Sequence, residues 1–207
     1  DSAGRSLYPG WPYDAGISGA GWRVWKLGSS PSAAPNALNA TLAVNAMQDY
    51  FLTPPQPGMT AATFNFDRDP ARVAQTAAIH DAISTFMTSF VAHHGRMLIY
   101  QGMSDPVFSA DAIMRWYRQL SHDNASVQDW ARLFLVPGMN HCGGGPATDD
   151  FDALDAIEGW TERGVAPDRL IASGASMPGV TRPLCPYPKY AHYVGGNPKS
   201  AASFACR

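Results

Sequence analysis

Apolar positions follow two rhythms along the chain. Met97-Leu98-Ile99-Tyr100 and Leu133-Phe134-Leu135-Val136 are short unbroken apolar runs, the pattern of strands buried on both faces. Each run stops at a turn signal: Gln101-Gly102-Met103-Ser104-Asp105-Pro106 after the first, Pro137-Gly138-Met139-Asn140-His141-Cys142 after the second. Strands are therefore expected over 96–101 and 131–136. Between them Ile113, Trp116, Tyr117 and Leu120 share one face of a helix expected over 110–120. Leu38, Leu42, Val44, Met47 and Phe51 recur at roughly helical spacing over 36–52, and Thr53-Pro54-Pro55 stops that helix. Further helices are expected from Asp69, with Pro70 in the first turn, over 83–92 and over 149–163, with a short strand near Leu170-Ile171. Strands alternating with helices favour a parallel sheet. Residues 1–35 break these rhythms. Tyr8-Pro9-Gly10-Trp11-Pro12-Tyr13, then Trp22-Arg23-Val24-Trp25, then a Gly/Ser/Pro linker through Pro35 read as aromatic loop.

Composition narrows the picture. With 207 residues and 45% hydrophobic content the chain can bury a core and can form one domain. Net charge is −2, and no basic patch with interleaved aromatics occurs, so a nucleic-acid partner is not expected. No apolar run approaches the roughly 20 residues of a membrane helix, so no membrane partner is expected either. Asp1-Ser2-Ala3-Gly4-Arg5 has no apolar segment of a signal peptide. The cysteines, Cys142, Cys185 and Cys206, are odd in number. Cys185 and Cys206 bracket a Pro/Tyr/Gly-rich tail with little core-forming potential, which suits a staple between them. Closing that loop stabilises by about 3 kcal/mol on a chain-entropy argument. Such a bridge implies an oxidising compartment, hence a secreted or periplasmic protein.

The candidate chemistry lies where the two strands end. An aspartate, Asp105, follows the first strand and a histidine, His141, follows the second, which matches the last two members of a Ser…Asp…His triad in α/β-hydrolase order. Taken singly, Asp105-Pro106 is ordinary turn chemistry and His141 a loop histidine that caps a backbone group. A nucleophile is harder to find. Gly16-Ile17-Ser18-Gly19-Ala20 nearly fits Gly-x-Ser-x-Gly, but the proline- and aromatic-rich stretch before it cannot be the buried strand of an elbow. Ser104, beside the acid, reads as a loop hydrogen-bonder. Cys142 can be read as metal ligand, nucleophile or half of a bridge; no second Cys or His lies within a few residues except His141, and adjacent side chains on extended chain point apart. Gly143-Gly144-Gly145 lets the chain turn tightly, and it lacks the Lys-Ser/Thr of a phosphate loop. Phe108, just past Asp105, is a candidate wall of an acyl pocket. His80, His93, His94, His122 and His192 are scattered and are assigned no chemistry.

Several of these segments together resemble the tannase and feruloyl esterase family of α/β-hydrolases. They are Tyr8-Pro-Gly, Trp22-Arg-Val-Trp, Gly102-Met-Ser-Asp-Pro, Arg132-Leu-Phe-Leu-Val-Pro-Gly-Met-Asn-His-Cys and Arg182-Pro-Leu-Cys-Pro-Tyr-Pro. The resemblance implies the C-terminal part of an α/β-hydrolase fold, parallel strands with flanking helices, preceded by the end of a lid. Residues 1–59 would be the end of the lid insertion and a connecting helix, and 60–207 the C-terminal part of the catalytic domain. It further implies Asp105 as acid, His141 as base, and Cys142 bridged to a cysteine beside the nucleophilic serine, both outside this chain. A calcium-binding loop would also lie in that N-terminal part, leaving no metal or other cofactor here. Trp11, Trp22 and Arg23 would line the substrate cleft, as lid residues do in related esterases, or simply pack the lid. The expected function is carboxylic ester hydrolysis on aromatic-acid esters, with the N-terminal part of the same enzyme as partner. The alternative is a non-catalytic α/β binding module or inactive fragment.

Overall fold

The computed structural model describes residues 1–31 and 36–207, so the end of the expected linker, 32–35, lies outside the described residues. Its backbone contacts divide the chain into two compact units, one of Asp1–Gly10 with Arg23–Ile83, the other of Trp11–Trp22 with Ser84–Arg207.

In the second unit the strands β1 (Met97–Gly102) and β2 (Ala131–Val136) pair in parallel, from Met97 opposite Ala131 to Gly102 opposite Val136. Parallel neighbours need a crossover, and α5 (Ala110–Asp123) supplies it. Strand alternation then explains the unbroken apolar runs. Ala131 and Leu133 face a cluster containing Tyr117, Leu120, Val127 and Trp130, with Met97 and Ile99 beside it. Phe134 and Val136 face a second cluster with Met139, Leu170, Ala172 and Leu184, joined by Leu98. Both faces are covered, as a parallel pair requires. Ser109 caps α5 by accepting from the Asp111 N–H at 3.1 Å, and the buried Tyr117 hydroxyl donates to the Ala131 carbonyl at 2.8 Å. Burial pushes the Tyr117 phenol up to about 12. On the other face α6 (Ala153–Arg163) contributes Ala156 and the buried Trp160, over which Arg132 stacks at 5.4 Å.

The tail departs from the parallel expectation. Strand β3 (Leu170–Ala172) pairs antiparallel with β4 (Arg182–Leu184), and β5 (Ala191–Tyr193) pairs antiparallel with β6 (Phe204–Cys206). The expected staple is present: Cys185 and Cys206 form a disulfide. It closes a segment anchored to β2, because the Tyr187 N–H donates to the Leu133 carbonyl at 2.7 Å.

Two expected helices and one expected loop need correction. Residues 83–92 are helical only over α4 (Thr88–Ala92). The preceding stretch is not helical and is tied to the end of α5, where Thr85 Oγ1 donates to Asp123 and Asn124 Nδ2 donates to the Thr85 carbonyl. The helix expected from 149 starts at Ala153, because Asp150 exchanges backbone bonds with Ser173 and Asp152 serves as the cap. The aromatic loop 1–35 contains a 3₁₀ turn (Ala15–Ser18) and a short helix, α1 (Ala20–Lys26). Arg23 and Lys26 in its last turn oppose the negative end of the dipole.

In the first unit α2 (Leu38–Ala46) continues into a π-helical turn (Met47–Phe51), and α3 (Pro70–His80) follows. Leu52 and Met59 are buried there, and the Thr53 N–H donates to the Arg72 carbonyl at 3.0 Å.

Candidate active site

Register brings the two candidate loops together. Gly102 and Val136 are partners at the carboxyl ends of β1 and β2, so both chains leave the sheet at one height. The Met103 N–H donates to the Val136 carbonyl and the Ser104 N–H to the Met139 carbonyl, each at 3.0 Å, which zips the loops for a further step.

Above that zip Asp105 and His141 meet. The Asp105 carboxylate can only accept, so His141 Nδ1 carries the proton and donates to Asp105 Oδ2 at 3.0 Å. The same oxygen accepts from Gln101 Nε2 at 2.8 Å. Oδ1 accepts the Val107 and Phe108 amides at 2.7 and 3.0 Å. Four donors thus hold a carboxylate that is buried, while the imidazole remains 35% exposed at its side chain. A cleft of about 280 Å³ opens beside the pair, lined by Tyr100, Gln101, Phe108, Met139, His141 and Cys142. Phe108 presents a ring edge-on to His141. Tyr100 does the same to Phe151.

Cys142 is exposed, is free of any disulfide in this structure and adopts a left-handed backbone with φ 61°. That conformation turns the chain directly after His141, and Gly143, Gly144 and Gly145 continue the turn with positive φ. The Asn140 N–H closes it on the Gly144 carbonyl at 3.0 Å.

The other sequence-derived residues separate. Trp11 belongs with the pair: its indole N–H donates to the Asp105 carbonyl at 2.8 Å, so its polar edge holds the acid loop. Trp22 is half-buried on α1, and Arg23 is exposed on the same helix but belongs to the first compact unit. Ser18 lies in the 3₁₀ turn, exposed, with its hydroxyl donating to the Ala15 carbonyl at 3.2 Å. No strand precedes it among the described residues. Ser104 is fully buried and bonded to Asp14. Gln101 and Asp14 are the site residues that sequence patterns miss: Gln101 reads as a strand residue, and Asp14 stands among loop aromatics. Among the described residues no three His, Cys, Asp or Glu side chains converge to hold a metal ion.

Comparison with known proteins places the chain in a family. The sequence profile described as tannase and feruloyl esterase matches residues 1–207. The chain is 42% identical to mono(2-hydroxyethyl) terephthalate hydrolase of Piscinibacter sakaiensis, an alignment covering 100% of this chain and 39% of that protein. It is 31% identical to an uncharacterized esterase of Xanthomonas campestris, covering 98% of this chain and 42% of that one. Among solved structures, feruloyl esterase B from Aspergillus oryzae superposes with a TM-score of 0.70 at 23% identity, covering 85% of this chain and 38% of that one. The fold is therefore part of an α/β-hydrolase-type fold, and the chain spans about two fifths of the length of the relatives it matches. It belongs to the tannase and feruloyl esterase family.

Proposed function

We propose that this chain supplies the acid and base of a serine carboxylic-ester hydrolase, with Asp105 as acid, His141 as base and the nucleophilic serine outside residues 1–207. The observation that carries the reading is the His141 Nδ1–Asp105 Oδ2 bond of 3.0 Å on a carboxylate oriented by three further donors. A serine hydroxyl is a weak nucleophile at neutral pH. With the proton fixed on Nδ1, Nε2 takes the hydroxyl proton as the serine oxygen attacks the ester carbonyl. Asp105 stabilises the imidazolium so formed. The tetrahedral intermediate collapses as His141 returns that proton to the departing alkoxide, which leaves as alcohol. A water molecule, deprotonated by His141, then releases the acid from the acyl-enzyme and restores the serine.

The aromatic rings beside the pair support aromatic-acid esters as substrates. Phe108 is the proposed wall of the acyl site. Trp11, Trp22 and Arg23 are proposed to contact substrate from the end of the lid, residues 1–59 forming that end and its connecting helix. Exposed Cys142 is proposed to bridge to a cysteine beside the serine, tying the histidine loop to the nucleophile and reducing the freedom of the reacting groups. The partner is then the N-terminal part of the same enzyme, which would also hold the calcium. The disulfide supports a secreted or periplasmic location.

The complete enzyme tests the reading. Asp105→Asn should lower kcat by roughly 10⁴-fold with KM little changed, and His141→Ala at least as much. The 207-residue chain alone should release no acid from an aromatic ester. A burst from that chain, abolished by Ser18→Ala, would overturn the division of the triad.

A further inference from the structure

The segment from Trp11 to Gly16 lies on both catalytic loops at once. Asp14 is 90 positions before Ser104 and 124 before Gly138, yet its Oδ2 accepts from the Ser104 hydroxyl at 2.5 Å and from the Gly138 N–H at 2.6 Å. These donors belong to different loops: Ser104 directly precedes Asp105, and Gly138 stands in the turn that leads to His141. The Ser104 oxygen in turn accepts from the Gly16 N–H at 2.9 Å, and the Trp11 indole holds the Asp105 carbonyl. The fit leaves no slack at Gly16. A Cβ there would stand 2.5 Å from Ser104 Oγ and 2.7 Å from the Gly138 carbonyl oxygen, so only glycine lets the segment lie this close.

We infer that Asp14 is a positioning residue, clamping the acid loop to the histidine loop and so setting the spacing of Asp105 and His141. The inference rests on the acid and base roles proposed above. The backbone bonds at Met103 and Ser104 set the height of the two loops over the sheet. The Asp14 carboxylate adds a cross-link from the side chain beside the acid to the start of the histidine turn. One oxygen that accepts from both loops at 2.5 and 2.6 Å fixes their separation through geometry, not through charge. The carboxylate works through the pair and touches no reacting atom.

The complete enzyme carries the test, with kinetics and a crystal structure of each variant. Asp14→Ala should lower kcat about 10- to 100-fold with KM within about twofold, as expected when a reacting pair is misplaced by an ångström or less. In its structure Asp105 Oδ2 and His141 Nδ1 should stand more than about 3.5 Å apart. Asp14→Asn should return kcat to within about threefold of the parent, because an amide oxygen can still accept from both donors. Ser104→Ala removes one arm of the clamp and should fall between; it decides the matter if Asp14→Ala does not fold. An unchanged kcat in Asp14→Ala, a raised KM with kcat intact, or a pair still at 3.0 Å overturns the clamp. Failure of Asp14→Asn to rescue also overturns it. Asp105→Asn, run in parallel, separates the two claims. If that variant keeps its kcat the acid role falls, while the Asp105–His141 separation in Asp14→Ala and Ser104→Ala still decides whether Asp14 sets the geometry.

Discussion

Phe108 stands with its ring centroid 5.5 Å from that of His141 and with 59% of its surface exposed, an aromatic face left open at the cleft. Its backbone amide orients Asp105, and truncation of the ring leaves that bond in place. Phe108→Ala should therefore raise KM for aromatic acyl esters about tenfold while kcat changes little, since the lost apolar contact is made equally in ground and transition states. Steady-state kinetics on an aromatic and an acetyl ester of one alcohol checks this, with the acetyl ester nearly unaffected. Asp105 and His141 were legible because each follows an apolar run at a turn, where strand-end loops present side chains. Gln101 and Asp14 were not. Gln101 acts through a bend that returns Asp105 to its side chain, and Asp14 acts across 124 positions, so neither leaves a local pattern.

At the scale of elements, the start of α3 carries the most heavily held charge in the first unit. Asp69, almost fully buried, receives Arg68 Nε at 2.7 Å, Arg68 Nη2 at 3.0 Å and the Asn65 N–H at 2.8 Å. The Arg68 guanidinium, then the Asn65 amide and Arg72, hold its carboxyl far below the ordinary value of 3.8. The unfolded chain thus binds a proton at Asp69 before the folded one does. The stabilisation is complete above the unfolded value and is lost as pH falls below it towards the folded one. Asp69→Asn should flatten the pH dependence of amide exchange in α3 between roughly pH 5 and pH 2, and an unchanged slope would show that other groups set it. The elements themselves divide by the strength of their signal. The β1–α5–β2 crossover was legible because its apolar residues have to fill two faces of a sheet and one face of a helix. The strands β3 to β6, three residues each, were largely hidden because pairing and a disulfide, not periodicity, make them. The missing half of the helix expected over 83–92 was lost to hydrogen bonds from the end of α5, which local pattern cannot register.

For the whole molecule, the tail is tied down at residues 21 positions apart, with Arg182 over Phe204 at 4.4 Å as a second hold. Replacing Cys185 and Cys206 with serine should cost about 3 kcal/mol in denaturant unfolding, from the loop-closure entropy that the unfolded chain regains. Non-reducing peptide mapping should recover that pair, with Cys142 either free or joined to a cysteine outside this sequence. The reach of Asp14 has a consequence in time. A ribosome adding about 5–20 residues per second needs roughly 6–25 s between making Asp14 and making Gly138. Until Ser104 is made, Asp14 exists without either of its partners, and the proposed clamp is complete only once Gly138 follows. A chain stalled or cut within that span never acquires both contacts, so the proposed spacing of the two loops marks a chain translated through its histidine turn.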